Sequence, residues 1–336
     1  MKRLFNILVL SLALVAQGAG AQTLKAVRDR GVLLCGSNGT LAGFGLPDAN
    51  GKWTGLDVDF CRAVAAAIFN DAEKVKFVPL STKDRFTALQ SGEVDLLARD
   101  TTWTISRDSS LGFNFVGVDY YDGQGFMVRK TLNVNSALEL QGASICMQQG
   151  TTTELNASDF FRAHNMRFKP VTFATANEAV KAYDVGRCDA YTTDASSLYS
   201  ERLRLANPND HIMLPEIISK EPLGPAVRQG DDQWFDIVKW TLFAMIDAEE
   251  LNITSKNIHA MKASTSPDVR RFVGTEGNYG EQLGLTKDWA ASIVRLVGNY
   301  GEVFERNVGS GSPLKINRGL NRLWNQGGIQ YAPPIR

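Results

Sequence analysis

The chain has 336 residues, with 36 basic and 36 acidic side chains and a formal net charge of zero at pH 7. A balanced charge without a concentrated basic stretch argues against a nucleic-acid-binding protein, because phosphates are neutralised by clustered lysine and arginine. The length is sufficient for two domains with separate cores, and the ordinary composition excludes a chain that is disordered throughout.

The first residues predict an export signal. Lys2 and Arg3 precede an apolar run over 4–16, and the small residues at 19–21 fit a cleavage site. We expect residues 1–21 to be removed as a signal peptide, which leaves 34 basic and 36 acidic residues in the mature chain. No cysteine directly follows the apolar run, so we expect an exported protein without a lipid anchor.

Four cysteines remain in the mature chain. An even number of cysteines in an oxidising compartment favours disulfides over metal ligation or a catalytic thiol, and no pair is spaced as Cys-x-x-Cys. Spacing alone leaves all three pairings open. The cysteines are Cys35, Cys61, Cys146 and Cys188.

The first half of the chain alternates short apolar runs with amphipathic segments, which is typical of an α/β fold. Turn and cap residues mark the boundaries between them. The predicted elements are strands at 31–35, 75–80 and 94–98, a hairpin turn at Asn50-Gly51, a helix at 57–69, and a helix capped by Thr82 that ends at Gly92.

A polar run over 98–108 follows the strand predicted at 94–98. Open α/β sheets bind small molecules at the carboxyl ends of their strands. Arg107 is the leading candidate for ligand contact, because a guanidinium can donate two parallel hydrogen bonds to a carboxylate. The alternative is that Arg107 pairs with Asp108 on a solvated helix end.

The second half repeats features of the first at constant offsets of 111 and 94 positions. This repetition predicts two βαβ lobes of the same build. The repeated residues are Gly31, Cys35, Gly39 and Thr40, matched by Gly142, Cys146, Gly150 and Thr151, and then Gly92 and Asp95, matched by Gly186 and Asp189.

Further along the chain, extended patterns suggest that it leaves the first lobe, builds the second and returns, with two crossings between the lobes. Helical patterns dominate after the return. The predicted elements are extended segments at 126–129 and 223–228 and helices at 232–249, 289–305 and 320–325.

Five motifs then occur in a specific order and spacing. They are GLDVD at 55–59, LQSGEVD at 89–95, TWTISR at 102–107, QGTT at 149–152 and TD at 193–194. With these motifs the chain resembles the periplasmic solute-binding proteins of polar amino acid ABC transporters, and the match is close to their general L-amino acid-binding branch. The tail from about 250 onward resembles the C-terminal extension of that branch.

The resemblance implies a two-lobed α/β periplasmic binding protein fold of type II, with two hinge crossings and a helical C-terminal extension. Lobe 1 would comprise 22–121 and 218–336, including the extension, and lobe 2 would comprise 122–217. The resemblance also implies a periplasmic monomer without a cofactor or metal, which binds L-amino acids of broad range and delivers them to the membrane subunits of an ABC transporter.

The resemblance further implies a ligand site built from both lobes. Arg107 and Thr102 would hold the ligand α-carboxylate, and Thr152 would close on it from lobe 2. Asp194 would accept from the α-ammonium, together with at least the backbone carbonyl of Asp100. The alternatives are that Asp194 and Thr152 only cap helices.

Two aromatic residues, Phe44 and Trp53, are candidates for the pocket of the ligand side chain, and core or hairpin packing is the alternative. For the cysteines we predict the disulfides Cys35–Cys61 and Cys146–Cys188, one within each lobe. A bridge between the lobes would obstruct closure around a hinge.

Two other functions remain open at this stage. A periplasmic dehydratase or lytic enzyme on the same fold would retain Arg107 for a substrate carboxylate. A sensor that docks to a chemoreceptor could use the same closed form. No catalytic motif surrounds His164, His211 or His259, and we expect all three at the surface.

Overall fold

The computed structural model describes residues 23–336, so the predicted signal peptide lies outside the described residues. The α-helices are α1 (Thr23–Arg30), α2 (Leu56–Phe69), α3 (Arg85–Ser91), α4 (Thr152–Ala163), α5 (Ala176–Asp184), α6 (Ala195–Arg202), α7 (Asp232–Glu250), α8 (Ile258–Met261), α9 (Pro267–Phe272), α10 (Tyr279–Gln282), α11 (Trp289–Leu296) and α12 (Tyr300–Asn307). The strands are β1 (Leu33–Ser37), β2 (Leu46–Pro47), β3 (Trp53–Thr54), β4 (Val75–Pro79), β5 (Leu96–Leu97), β6 (Phe113–Phe115), β7 (Tyr120–Asp122), β8 (Gln124–Arg129), β9 (Ser144–Gln148), β10 (Lys169–Phe173), β11 (Ala190–Asp194), β12 (His211–Met213), β13 (Glu221–Leu223) and β14 (Ala226–Arg228). None of the helices within this range is long and apolar enough to cross a membrane.

The strands form two five-stranded sheets of the same design. Their orders are β4-β1-β5-β14-β6 and β10-β9-β11-β8-β12. In each sheet the first three strands are parallel and the last two join in antiparallel fashion. We call the first sheet and the elements packed on it lobe 1, and the second sheet and its helices lobe 2. The predicted two-lobed α/β fold is therefore confirmed.

The internal repeat has a structural counterpart. In lobe 1 the carboxylate of Asp95 accepts from the backbone N–H of Leu34, and in lobe 2 the carboxylate of Asp189 accepts from the N–H of Ser144, each at 2.8 Å. The backbone N–H of each aspartate returns a bond to the carbonyl of the same residue, at 2.9 and 2.8 Å. Each aspartate thus ties the start of one parallel strand to the start of its neighbour.

The chain crosses between the lobes twice, along β7 and β13. These two strands pair with each other outside both sheets, with Asp122 opposite Glu221. Immediately beyond the ladder the two crossings touch at Gly123, where an added Cβ would lie 2.2 Å from Ile217 and 2.7 Å from the carbonyl oxygen of Ser219. Only glycine allows so close an approach.

Each disulfide lies within one lobe. Cys35 on β1 is joined to Cys61 on α2, and Cys146 on β9 is joined to Cys188 just before β11. These are the two pairings expected from the sequence. Both bonds fasten elements of one sheet layer, so neither restricts rotation of one lobe against the other.

Three local predictions are wrong. The helix predicted at 289–305 is two helices, because Gly298 has a φ of +106° and Asn299 forms a capping box with Glu302 that starts α12 anew. The segment 320–325 contains only single turns, Gly319–Asn321 and Trp324–Gln326. Thr82 does not cap α3, whose first residue follows Asp84, and its hydroxyl instead accepts from residues in the cleft.

The C-terminal extension is part of the core of lobe 1. One cluster of buried apolar residues runs from Leu24 to Ile335. The extension also forms hydrogen bonds with β7 and with the residue before it. The hydroxyl of Tyr300 donates to the carbonyl of Asp119 at 2.8 Å, and the side chain of Asn321 bonds both the N–H and the carbonyl of Tyr121, at 2.7 and 3.1 Å.

The extension covers a carboxyl group that should make stability pH-dependent. Asp247 on α7 is buried, one of its oxygens has no hydrogen-bond partner, and burial with the neighbouring Glu250 and Asp268 raises its pKa to about 7. The folded protein therefore holds a proton that the unfolded chain releases near pH 4. The free energy of unfolding should fall as pH rises from about 4 to about 7 and then level off.

The substitution Asp247→Asn should remove the part of this pH dependence that comes from Asp247. We expect the free energy of unfolding, measured with urea, to decrease from pH 5 to pH 8 in the wild type. This decrease should exceed that of the variant by about 2 kcal/mol. Every other titrating group is common to the two proteins. An equal pH dependence in both would contradict the assignment to Asp247.

Candidate functional site

A cavity of about 280 Å³ lies between the two lobes, where the carboxyl ends of the parallel strands face each other. Both lobes contribute polar and charged side chains to its wall. Its lining includes Arg85, Arg99, Asp100, Thr102 and Arg107 from lobe 1, and Gln148, Thr152, Asn177, Asp194 and Glu201 from lobe 2.

Arg107 lines the cavity from the connection between β5 and β6. It lies in the short helical turn Ser106–Ser110, is 8% exposed, and donates from Nη1 to the carbonyl of Thr102 at 2.7 Å. Its guanidinium carbon is 5.3 Å from the centre of the Phe86 ring. Burial lowers the pKa of Arg107, and the charges of Glu221, Asp194 and Asp100 act against that decrease. The alternative of a solvated helix end is wrong, because this side chain is buried.

Asp194 ends β11 on the opposite wall and is also 8% exposed. It occupies the position before α6, but its side chain makes no capping hydrogen bond, so the alternative of a simple helix cap is wrong. Burial and the nearby carboxylates of Asp122 and Glu221 raise the pKa of Asp194, and Arg107 lowers it. A cation bound in the cavity would stabilise the ionised form of this carboxyl group.

A residue that the sequence did not single out, Glu221 on β13, organises the rear of the cavity. It is 1% exposed. Its Oε2 accepts from the hydroxyl of Thr102 at 2.6 Å and from the hydroxyl of Thr152 at 3.0 Å. Its Oε1 accepts from the side chains of Asn156 at 2.6 Å and Ser219 at 2.8 Å. One buried carboxylate thereby joins lobe 1, lobe 2 and the crossing segment.

This arrangement limits the hydrogen bonds that Thr102 and Thr152 can donate to a ligand. A hydroxyl has one proton to donate, and both Thr102 and Thr152 donate theirs to Glu221. Thr152 is the first residue of α4, and the N–H groups in the first turn of a helix have no acceptor within the helix. In this conformation the donor available from Thr152 is therefore its backbone N–H. Thr151, not Thr152, holds the position before α4.

Asp100 lines the cavity, and its carboxylate already interacts with neighbouring side chains of lobe 1. Its carboxylate accepts from Asn38 at 2.9 Å and lies 3.6 Å from Arg99. Its backbone has a φ of +36°, which is uncommon for a residue other than glycine, and its N–H donates to Asp57 at 2.9 Å. The bonds to Asn38 and Asp57 hold this unusual turn at the end of the strand.

The two aromatic candidates do not reach the cavity, so their assignment to the side-chain pocket is corrected. Phe44 is 1% exposed and packs edge-on against Tyr120, in the core of lobe 1. Trp53, in the hairpin, stacks on Phe77 of β4. Both rings are therefore used in packing within lobe 1, and neither residue lines the cleft.

Two lobes joined by two crossings, with charges of both signs on a buried cleft between them, define a solute-binding protein. The chain belongs to the bacterial extracellular solute-binding proteins, family 3, whose family model matches residues 33–259.

The chain is similar over nearly its whole length to named relatives. It is 64% identical to the general L-amino acid-binding periplasmic protein AapJ of Rhizobium johnstonii, over 97% of this chain and 96% of the relative. It is 55% identical to the glutamate/glutamine/aspartate/asparagine-binding protein BztA of Rhodobacter capsulatus, over 96% of each. A periplasmic binding protein of an ABC transporter from Brucella ovis, solved with glutathione bound, is 61% identical, with a TM-score of 0.93 over 94% of this chain and 100% of that one.

Proposed function

We propose that this protein captures L-amino acids of broad range in the periplasm and, by closing its two lobes, delivers them to the membrane subunits of an ABC importer. The observation that carries the proposal is the pair Arg107 and Asp194. A zwitterion needs an anion site and a cation site a few ångströms apart, and a buried charge is tolerated only when it is paired. These two residues offer both signs on one cavity, from opposite lobes.

In this proposal Arg107 binds the α-carboxylate, with the backbone N–H of Thr152 as a second donor. Asp194 accepts from the α-ammonium, and the strand end at Asp100 and Thr102 forms the adjoining wall. Since the groups come from both lobes, only the closed form completes the site. The names of the relatives support amino acids as the ligand and an ABC transporter as the partner.

The protein acts, in this proposal, without catalysis, as a monomer, after removal of residues 1–21. Two histidines make close polar contacts among the described residues: a ring nitrogen of His164 lies 2.8 Å from the carbonyl oxygen of Phe160, and a ring nitrogen of His211 lies 2.7 Å from the hydroxyl of Tyr183 inside lobe 2. Neither residue lines the cleft. His211 is buried, so its expected surface position is wrong. The cleft itself is lined by charged, amide and hydroxyl groups suited to binding.

A thermal-shift panel tests the proposed ligand class, because a ligand that binds only the folded state raises the melting temperature. The protein is first stripped of bound ligand by dialysis in denaturant and refolded with its disulfides intact. The panel contains the twenty L-amino acids, their D-forms, dicarboxylates without an amino group, and glutathione. We expect several L-amino acids to raise the melting temperature and their D-forms not to. A panel in which no L-amino acid does so would overturn the proposal.

A further inference from the structure

One cation in the cleft has no anionic partner among residues 23–336. Arg85, the first residue of α3, is 3% exposed and lines the cavity. Of its five N–H donors, one makes a hydrogen bond, from Nη1 to the hydroxyl of Thr101 at 3.3 Å. Its Nε is buried without an acceptor. A buried guanidinium in this state is costly unless something else supplies the missing acceptors.

The other charges of the cleft are accounted for. Arg99 donates to the carbonyl of Leu80 and the hydroxyl of Thr82, at 2.9 and 3.1 Å, and lies 3.6 Å from the Asp100 carboxylate. Glu201 accepts from Arg204 at 2.7 Å. Arg107 and Asp194 are opposite charges and suit the two ends of a zwitterion.

Arg85 and Arg107 lie close to each other. Their guanidinium carbons are 4.7 and 5.3 Å from the centre of the same Phe86 ring, and so are no farther apart than the sum of those distances. Burial and the positive charges of Arg99 and Arg107 lower the pKa of Arg85, and the carboxylates of Asp100 and Asp194, which make no ion pair with it, act against that decrease. A second anion in the cleft would offset this mutual repulsion. Since both guanidinium groups line the same cavity, a ligand with two carboxylates would pair with each of them.

We infer that Arg85 binds an acidic group on the ligand side chain, so that within its range the protein binds amino acids with a second carboxylate, such as L-glutamate, most tightly. This inference rests on the proposed function and names the substrate class that the cleft favours. Asn177, which lines the cavity from lobe 2, accepts from Arg204 with its amide oxygen at 2.7 Å, and its amide N–H groups can complete the hydrogen bonds of such a carboxylate.

Calorimetric titration with L-glutamate and L-glutamine tests the inference, because these ligands match in shape and differ in side-chain charge. We expect the wild type to bind glutamate at least about 10-fold more tightly than glutamine. The variant Arg85→Gln should lose about 30-fold or more in glutamate affinity and less than about 3-fold in glutamine affinity. Arg85→Lys, which keeps the charge, should retain part of the glutamate preference.

The ratio of the wild-type affinities for glutamate and glutamine is measured without any variant, so it does not depend on whether a variant folds. Equal affinities for the two ligands, or tighter binding of glutamine, would overturn the inference and leave the proposed function standing. An equal loss for both ligands in Arg85→Gln would overturn it as well, since it would show that Arg85 only supports the end of the strand through Thr101. Failure of both ligands to bind the wild type, with no response to any other L-amino acid, would overturn the proposed function and this inference together.

Discussion

Replacing Arg107 with alanine should weaken the binding of every amino acid ligand by at least about 100-fold, or about 3 kcal/mol. In the proposed site this guanidinium is the group that neutralises the α-carboxylate, and it is buried, so water replaces it poorly once it is removed. Calorimetric titration of wild type and variant with the ligand that gave the largest thermal shift measures the effect. Unchanged affinity would place the carboxylate site elsewhere.

Two controls separate lost binding from lost structure. Arg162 on α4 is highly exposed and pairs with Asp159 at the surface of lobe 2, so Arg162→Ala should leave affinity unchanged. Arg107 also donates to the carbonyl of Thr102, so the ligand-free melting temperature of Arg107→Ala must be measured. Arg107→Lys keeps the charge without the planar fork, and its affinity should lie between those of wild type and alanine variant.

The substitution Glu221→Ala should lower the free energy of unfolding of the ligand-free protein by about 3 kcal/mol. It removes the buried acceptor of four hydrogen bonds. The hydroxyl of Thr102, which is buried, and the donors of Thr152 and Asn156, which are half-buried, then lose their partner. Chemical denaturation of the stripped protein measures the loss.

A nearby glutamate provides the matched control for that prediction. Glu216 lies on the same return segment, is only partly buried, and accepts from Ser136 and the N–H of Ala137, both in lobe 2. Glu216→Ala should therefore cost about 1 kcal/mol. Glu221→Gln keeps one acceptor oxygen and the shape of the side chain, so it should lose less than Glu221→Ala. A loss at Glu221 no larger than at Glu216 would contradict the role assigned here.

Features that depend on the order of elements along the chain could be predicted from the sequence. Strand and helix alternation indicated the α/β lobes, and the Gly-x-x-Asp repeat marked the positions where Asp95 and Asp189 fasten equivalent strands. Placing Arg107 and Asp194 at strand ends led to the same cavity, because carboxyl ends of parallel strands share one edge. The disulfides followed from assigning each cysteine to a lobe.

Features that depend on contacts between distant segments could not be predicted in this way. Glu221 has no local pattern around it, and its position arises from the pairing of β13 with β7, nearly a hundred residues earlier. Arg85 begins an amphipathic helix, where an arginine is ordinarily solvated, and only the tertiary packing buries it. The helix break at Gly298 depends on a backbone conformation and a capping box that apolar spacing does not reveal.

The hydrogen bonds from the C-terminal extension to β7 and to the residue before it bear on where the molecule can bend. Since Asp119 and Tyr121 are hydrogen-bonded to Tyr300 and Asn321, we expect the paired crossing strands to move together with lobe 1. We therefore expect rotation at the far end of this pair of strands, around Gly123, where the two crossings touch. The hinge would then lie beside Glu221. Because lobe 2 extends away from this point, a small rotation of the backbone there would produce a large displacement of lobe 2 at the mouth of the cleft.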